Sequence, residues 1–202
     1  MFAPAKSATF EEHIRKSRFI GSIEYVSSMD EAKEFISKVS EEHKTATHNC
    51  WAYIVGIKGE TFHYSDAGEP SGTAGKPIHG AMLKYELTNC ALVVTRYFGG
   101  TKLGIRGLID AYSYIAEKTV ENTPLQEIKL KDFFEVVTSY QNFDRLKYNL
   151  TELNFEILST EYLKEITLII SSDAKDNGEE YLSSIQSSGM ISYKLIKTDL
   201  FY

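Results

Sequence analysis

Hydrophobic and polar positions along this chain switch between a period of two and a period near 3.6, and the switches outline its elements. Arg18–Val26 alternates weakly and ends in Ser27-Ser28, which predicts a strand and its exit. Met29, Ala32, Phe35, Ile36 and Val39 follow at helical spacing, so a helix to about His43 is expected. Ser28, with Glu31 three residues on, reads as the capping box that starts it. Cys50–Ile57 and Glu60–Tyr64 predict strands joined by a turn at Lys58-Gly59. A second helix is expected where Ile78, Met82 and Leu83 share a face, since Pro77 is tolerated in a first turn. Asn89–Phe98 predicts a strand whose run Ala91-Leu92-Val93-Val94 lacks alternation, as in a strand buried on both faces. After the break at Gly99-Gly100, a helix from about Leu103 to Val120 lines up Leu108, Ile109, Tyr112, Ile115, Ala116 and Thr119, and Asn122-Thr123-Pro124 ends it.

Beyond Pro124 glycines thin out and a regular pattern begins. Ile128–Thr138 predicts a strand, Tyr140–Leu153 a helix, and Phe155–Thr160 and Leu163–Ser171 two strands. Ala174–Ser187 then predicts a helix and Met190–Thr198 a last strand. Phe143, Leu146, Leu150 and Leu153 form the first helix's apolar stripe. The order βαββαβ is that of the ferredoxin-like split βαβ arrangement. We therefore expect an α+β protein of two domains, residues 1–127 and 128–202.

Composition changes this picture in two respects. A chain of 202 residues with 43% hydrophobic and 25% charged residues is an ordinary globular one. Its formal net charge of −6 excludes a uniformly basic nucleic-acid coat but not a local cationic site. The first 127 residues hold 14 Lys+Arg against 16 Asp+Glu, a net of −2, and the remainder 8 against 12, a net of −4. Cys50 and Cys90 form no CxxC pair, so neither a zinc module nor a disulfide scaffold is indicated, and a reducing compartment is expected. Met1–Phe10 has no apolar core of a signal peptide, and no apolar run approaches the roughly 20 residues of a membrane span. A soluble, cytoplasmic protein without a membrane partner is expected.

Candidate chemistry concentrates in two glycine-rich stretches that each precede a predicted helix. Free helix N–H groups attract anions, and glycine lets backbone approach a ligand. The first, Asp66–Pro77, includes Gly72, Thr73, Ala74 and Gly75. The second, Arg96–Gly107, includes Gly99, Gly100 and Gly104 and carries Arg96, Lys102 and Arg106. Neither is a Walker loop: Pro70 stands where the first glycine is needed and Pro77 where Ser or Thr is needed. His48 and Cys50 share one strand face but, as i,i+2 neighbours, do not readily form a nucleophile pair. Asp66 and Glu69 read either as an acid/base pair or as caps of backbone N–H groups. Tyr97 and Phe98 beside Arg96 suit base stacking as well as core packing. Lys16 and Arg18 belong to a short basic cluster. No metal site or cofactor is expected from these spacings.

Four segments resemble one family. Lys16-Ser17-Arg18-Phe19 is similar to a KSKF/KSRF opening and His48-Asn49-Cys50-Trp51-Ala52 to an HxCxA strand. Asp66–Pro77 resembles a DDGEPxGTAGxP loop, and Val93–Gly104 a VVxRYFGGxxLG signature. Their order over roughly residues 16–112 resembles the YigZ/IMPACT family, in its bacterial branch with an extra C-terminal domain. Two positions depart from it: Ala67 replaces a frequent second Asp, and Ile105-Arg106-Gly107 a frequent Gly-Gly pair.

The resemblance implies an N-terminal domain like domain four of elongation factor G, with a ribosomal-protein-like fold, and a C-terminal domain like domain five. It also implies a role near translation, because eukaryotic members restrain a starvation-responsive initiation-factor kinase by binding its activator. The leading expectation is a non-enzymatic binding protein acting on RNA, the ribosome or its factors. Its groove would lie between Thr73-Ala74-Gly75 and Arg96–Arg106, with Arg96, Lys102 and Arg106 on phosphate and Tyr97 or Phe98 on a base. Two alternatives are a regulator that binds another protein and a hydrolase using His48, Cys50, Asp66 and Glu69. The hydrolase requires those four side chains to converge in one pocket.

Overall fold

The structure, a computed structural model, describes residues 1–56, 59–174 and 177–201. It forms two compact units, Met1–Glu127 and Ile128–Tyr202. Helices and antiparallel sheets occur in both, so the chain is α+β.

In the first unit a five-stranded sheet has the order β2-β3-β6-β4-β5, with β2 Ala8–Ile14, β3 Ser17–Tyr25, β4 His48–Val55, β5 Thr61–Ser65 and β6 Cys90–Tyr97. Every neighbouring pair is antiparallel. β6 is central and buried along almost its whole length, which is why its sequence does not alternate. Its side chains divide between two cores. Ala91 and Val93 meet Ala32, Phe35, Ile36 and Val39 of helix α1 (Met29–Glu42) on one face. Cys90, Leu92 and Val94 meet helices α2 (Gly75–Lys84) and α3 (Gly104–Glu121) on the other.

The α1 cap forms as its residue types dictate. Ser28 Oγ accepts from the Glu31 N–H at 3.2 Å, while the Glu31 carboxylate accepts from the Ser27 N–H at 2.7 Å, one residue earlier than in the usual box. In α2, Ile78 and Met82 are fully buried as expected, but Leu83 is 57% exposed. His79 and Ala81 complete the buried face instead.

Three short strands have no counterpart in the sequence reading. β2 alternates half-buried Ala8, Phe10, Glu12 and Ile14 with exposed positions, and its charged residues hide the pattern. β1 (Phe2–Pro4) pairs antiparallel with β7 (Leu125–Glu127), joining Phe2 to Glu127. The β2–β3 hairpin turns through Arg15 and Lys16, both in the left-handed region at φ 45° and 69°, the geometry of a two-residue hairpin turn. The expected turn at Lys58-Gly59 and the strand end at Ile57 fall on residues outside the described ones, apart from Gly59.

The second unit runs β8 (Lys129–Thr138), α4 (Tyr140–Glu152), β9 (Glu156–Tyr162), β10 (Ile166–Asp173), α5 (Gly178–Ser187) and β11 (Ile191–Phe201). Its sheet is antiparallel in the order β11-β8-β10-β9. Phe134, Val136, Ile166, Leu168 and Ile170 pack against Leu146, Leu150 and Leu182. Leu153 caps α4 and is 45% exposed, so the α4 stripe ends at Leu150. α5 begins later than its sequence suggests, because the Ala174 N–H bonds the Leu130 carbonyl and prolongs the β10 side of the sheet. Lys175 and Asp176 lie outside the described residues.

Candidate functional site

β6 places Cys90, Leu92, Val94 and Arg96 on one face, so an apolar row ends in a cation. Arg96 is 4% exposed, and a charge buried to that degree needs a partner. The loop between β5 and α2 supplies it: Arg96 Nη1 lies 2.6 Å from Glu69 Oε1, with the Glu69 side chain equally buried. Tyr112, projecting from α3, donates its hydroxyl to the same oxygen at 2.9 Å. Arg96 Nη2 donates to Ser17 Oγ at 3.3 Å. The guanidinium also lies over the Phe19 and Phe98 rings, 5.5 Å and 5.3 Å from their centroids. Arg96 is thus charge-paired with Glu69 inside the fold, where the sequence led us to expect a cation free to meet phosphate.

Next to this pair is a cleft of about 420 Å³, within the range of small-molecule sites. His48, Glu69, Arg96 and Lys102 supply its polar groups, and Pro70, Phe98, Leu103, Ile105 and Leu108 its apolar walls. His48 stands opposite Arg96 in the β4–β6 register. Its Nδ1 lies 3.0 Å from the Ala67 carbonyl, and its Nε2 3.9 Å from Glu69 Oε2. At the other side α3 begins at Gly104 (φ +75°) with no side-chain cap and no acidic residue in its first turn. Lys102 is exposed there and makes no ion pair among the described residues. Phe98 is 43% exposed.

The expected anion site at the start of α2 is already filled by the protein itself. Asp66 Oδ1 accepts from the N–H groups of Ala74 and Gly75, both at 2.9 Å, and Oδ2 from that of Gly72 at 2.8 Å. Thr73 turns its hydroxyl to the Pro70 carbonyl. Burial opposes ionisation of Asp66, but the three backbone donors outweigh it and hold the carboxyl below its ordinary range. Asp66→Ala removes this cap and is expected to lower stability by about 2 kcal/mol at neutral pH. Because the folded pKa is depressed, the stabilisation is complete above the ordinary value of 3.8 and fades as pH falls through the folded value. Urea titrations of the two proteins will therefore converge in acid; a gap that stays constant below pH 4 would contradict the assignment.

Other expected residues lie apart from the cleft. Tyr97 points to the opposite sheet face, where its hydroxyl meets His43 Nδ1 at 3.1 Å and Arg18 lies over its ring. Arg18 is held by Glu11 through two contacts of 2.8 Å. Arg106 is exposed on α3 and pairs with Asp110. Lys16 sits in the hairpin turn, where its carbonyl backs directly on Gly99. Gly100, at φ +85°, makes the turn that follows.

The four side chains required of a hydrolase do not converge. His48 and Glu69 line the cleft, but Asp66 is committed to α2, and Cys50 is fully buried beneath. Cys50 Sγ lies 2.9 Å from the Asp66 carbonyl and 3.4 Å from Tyr112 Oη, and burial pushes its thiol up to about 12. Such a thiol remains protonated and unreactive at neutral pH. Among the described residues no group of three or more His, Cys, Asp or Glu is placed to hold a metal ion. No helix among them is long and apolar enough to cross a membrane.

The Impact N-terminal domain family matches residues 15–120, which carry the whole of this site. The chain belongs to the IMPACT family. It is 37% identical over 165 residues to IMPACT family member YvyE of Bacillus subtilis, covering 82% of this chain and 76% of that protein. It is 33% identical over 199 residues to an IMPACT family member of Haemophilus influenzae, covering 96% of both. A solved structure described as a hypothetical protein superposes with a TM-score of 0.65 at 27% identity, over 97% of each chain. The IMPACT-like segments meet in space: Ser17 and Phe19, His48 and Cys50, Asp66 and Glu69, and Arg96 and Phe98 all belong to the cleft or to the bonded cluster beneath it. Tyr112, Thr47, Leu103, Ile105 and Leu108 complete it, and the sequence gives no sign that they are site residues. Tyr112 and Leu108 had been legible only as members of the α3 core stripe, and Thr47, whose hydroxyl accepts the Phe98 N–H at 2.9 Å, carried no signal.

Proposed function

We propose that this IMPACT family protein is a non-enzymatic RNA-binding regulator acting on the translation machinery in the cytoplasm, with the cleft as its recognition site. The observation that carries the reading is the juxtaposition of a half-exposed Phe98, the unpaired Lys102 and the uncapped start of α3 around an apolar-walled cleft. Aromatic rings stack on unpaired bases, and a cation beside free helix N–H groups suits the attached phosphate. This binding mode needs fewer cations than one through Arg96 and Arg106 would. The protonated Cys50 and the capping role of Asp66 support a binding rather than a catalytic role. The strand order β11-β8-β10-β9 and the helix placement support reading residues 128–202 as a ferredoxin-like domain similar to domain five of elongation factor G. Residues 1–127 are read as the IMPACT-type domain, similar to domain four of that factor.

A fluorescence anisotropy titration with a short single-stranded RNA tests the proposal. Binding is expected at low salt and weakens as salt rises. Phe98→Ala is expected to weaken it by about tenfold, in keeping with the loss of one stacked base. Lys102→Ala is expected to lower both the affinity and the salt slope. No binding at low salt, or binding that neither variant changes, would overturn the reading.

A further inference from the structure

Glu69 and His48 both line the cleft, and each carries an acceptor atom with no hydrogen-bond partner among the described residues. Glu69 Oε1 is occupied by Arg96 and Tyr112, whereas Oε2 has no hydrogen-bond partner among the described residues. His48 Nδ1 faces the Ala67 carbonyl at 3.0 Å, and a carbonyl oxygen only accepts, so Nδ1 carries the ring proton. In the neutral imidazole Nε2 is then a bare lone pair. It stands 3.9 Å from Oε2, too far for any direct hydrogen bond between the two side chains. A donor lying off the line between them reaches each at about 2.9 Å, an ordinary hydrogen-bond length. A group with two hydrogens on one nitrogen satisfies both acceptors at once. The walls beside it, Phe98, Leu103 and Ile105, are apolar and suit a flat ring.

We propose that Glu69 Oε2 and His48 Nε2 together receive the exocyclic amino group of a nucleobase, so that the cleft selects bases bearing an amino group over uracil. The inference rests on the RNA-binding reading above and adds a base preference to it. Adenine, cytosine and guanine each carry an NH₂ group. Uracil offers a single N–H between two carbonyl oxygens, so one of its acceptors would face one of the protein's.

The test uses the full chain and fluorescein-labelled octaribonucleotides of A, C and U, compared by anisotropy at one low salt concentration. Cytosine against uracil is the decisive comparison, because the two rings have the same size. Oligo-C and oligo-A are expected to bind at least about tenfold more tightly than oligo-U, the effect of one unmade hydrogen bond to a charged group. His48→Ala, which leaves the Arg96–Glu69 pair in place, is expected to reduce the C-over-U preference to less than about twofold. Equal binding of C and U, a preference for U, or a preference that survives His48→Ala overturns this inference alone. Binding of none of the three overturns the RNA reading with it.

Discussion

Glu69→Ala is expected to lower the unfolding free energy of the first unit by about 3–5 kcal/mol, the cost of leaving one member of a buried ion pair without its partner. Both side chains are about 95% removed from solvent, so the variant leaves a nearly buried guanidinium without its counter-charge. Arg96 Nε already has no partner among the described residues, and the variant would leave Nη1 in the same condition. Tyr112 would lose its acceptor as well. The chain's one tryptophan, Trp51, lies on β4 in this unit, so its fluorescence in a urea titration isolates the effect. The double variant Glu69→Leu with Arg96→Met is expected to regain most of the loss, since apolar replacement of a whole buried pair is often neutral or better. A cost below about 1 kcal/mol for Glu69→Ala would mean that water reaches the pair.

Gly99→Ala is the second large effect expected, about 3 kcal/mol or more, because relief requires backbone movement. A Cβ at position 99 would lie 1.7 Å from the Lys16 carbonyl oxygen and 2.2 Å from its carbon. Neither atom can swing aside as a side chain would. The β2–β3 hairpin and the β6–α3 loop must separate, carrying Phe98 with them. Gly100→Ala provides the contrast. Its Cβ meets nothing within 4 Å, and only the positive φ of 85° opposes it, at about 1 kcal/mol. Urea midpoints followed by Trp51 should rank the wild type first, then Gly100→Ala, then Gly99→Ala. Equal midpoints for the two variants would exclude this close approach.

The sequence revealed most where the physics is local. Ser28 and Glu31 announced the start of α1 because a cap is made by residues within one turn. β6 was legible because burial on both faces removes alternation. Local pattern misled at Leu83 and Leu153, which stand near helix ends: helical spacing gives angular position, but not how far the neighbouring sheet extends. The candidate site was legible as a set of segments and not as an arrangement. Arg96 reads as an exposed cation because its partner is 27 residues away in a loop, and the hydroxyl that completes the cluster comes from α3. Asp66 reads equally as a base or a cap; only the folded positions of Gly72, Ala74 and Gly75 commit it to the backbone. Long-range partners of this kind leave no periodicity in the sequence.

The β1–β7 pairing bears on how the first unit is made. Phe2 joins Glu127 through a ladder that draws together two ends of the unit. Synthesis proceeds from the N-terminus, and domains tend to fold as they emerge. Phe2 can exchange hydrogen bonds with Glu86 and Thr88 once those residues have left the ribosome, but β7 is not yet there. The closing ladder must wait for the last residues of the unit, and contacts so distant along the chain form slowly because a long loop is closed first. During that interval the sheet and α3 can assemble while their terminal seam stays open. The order of synthesis therefore makes the β1–β7 pairing the last contact of this unit for which both strands are available.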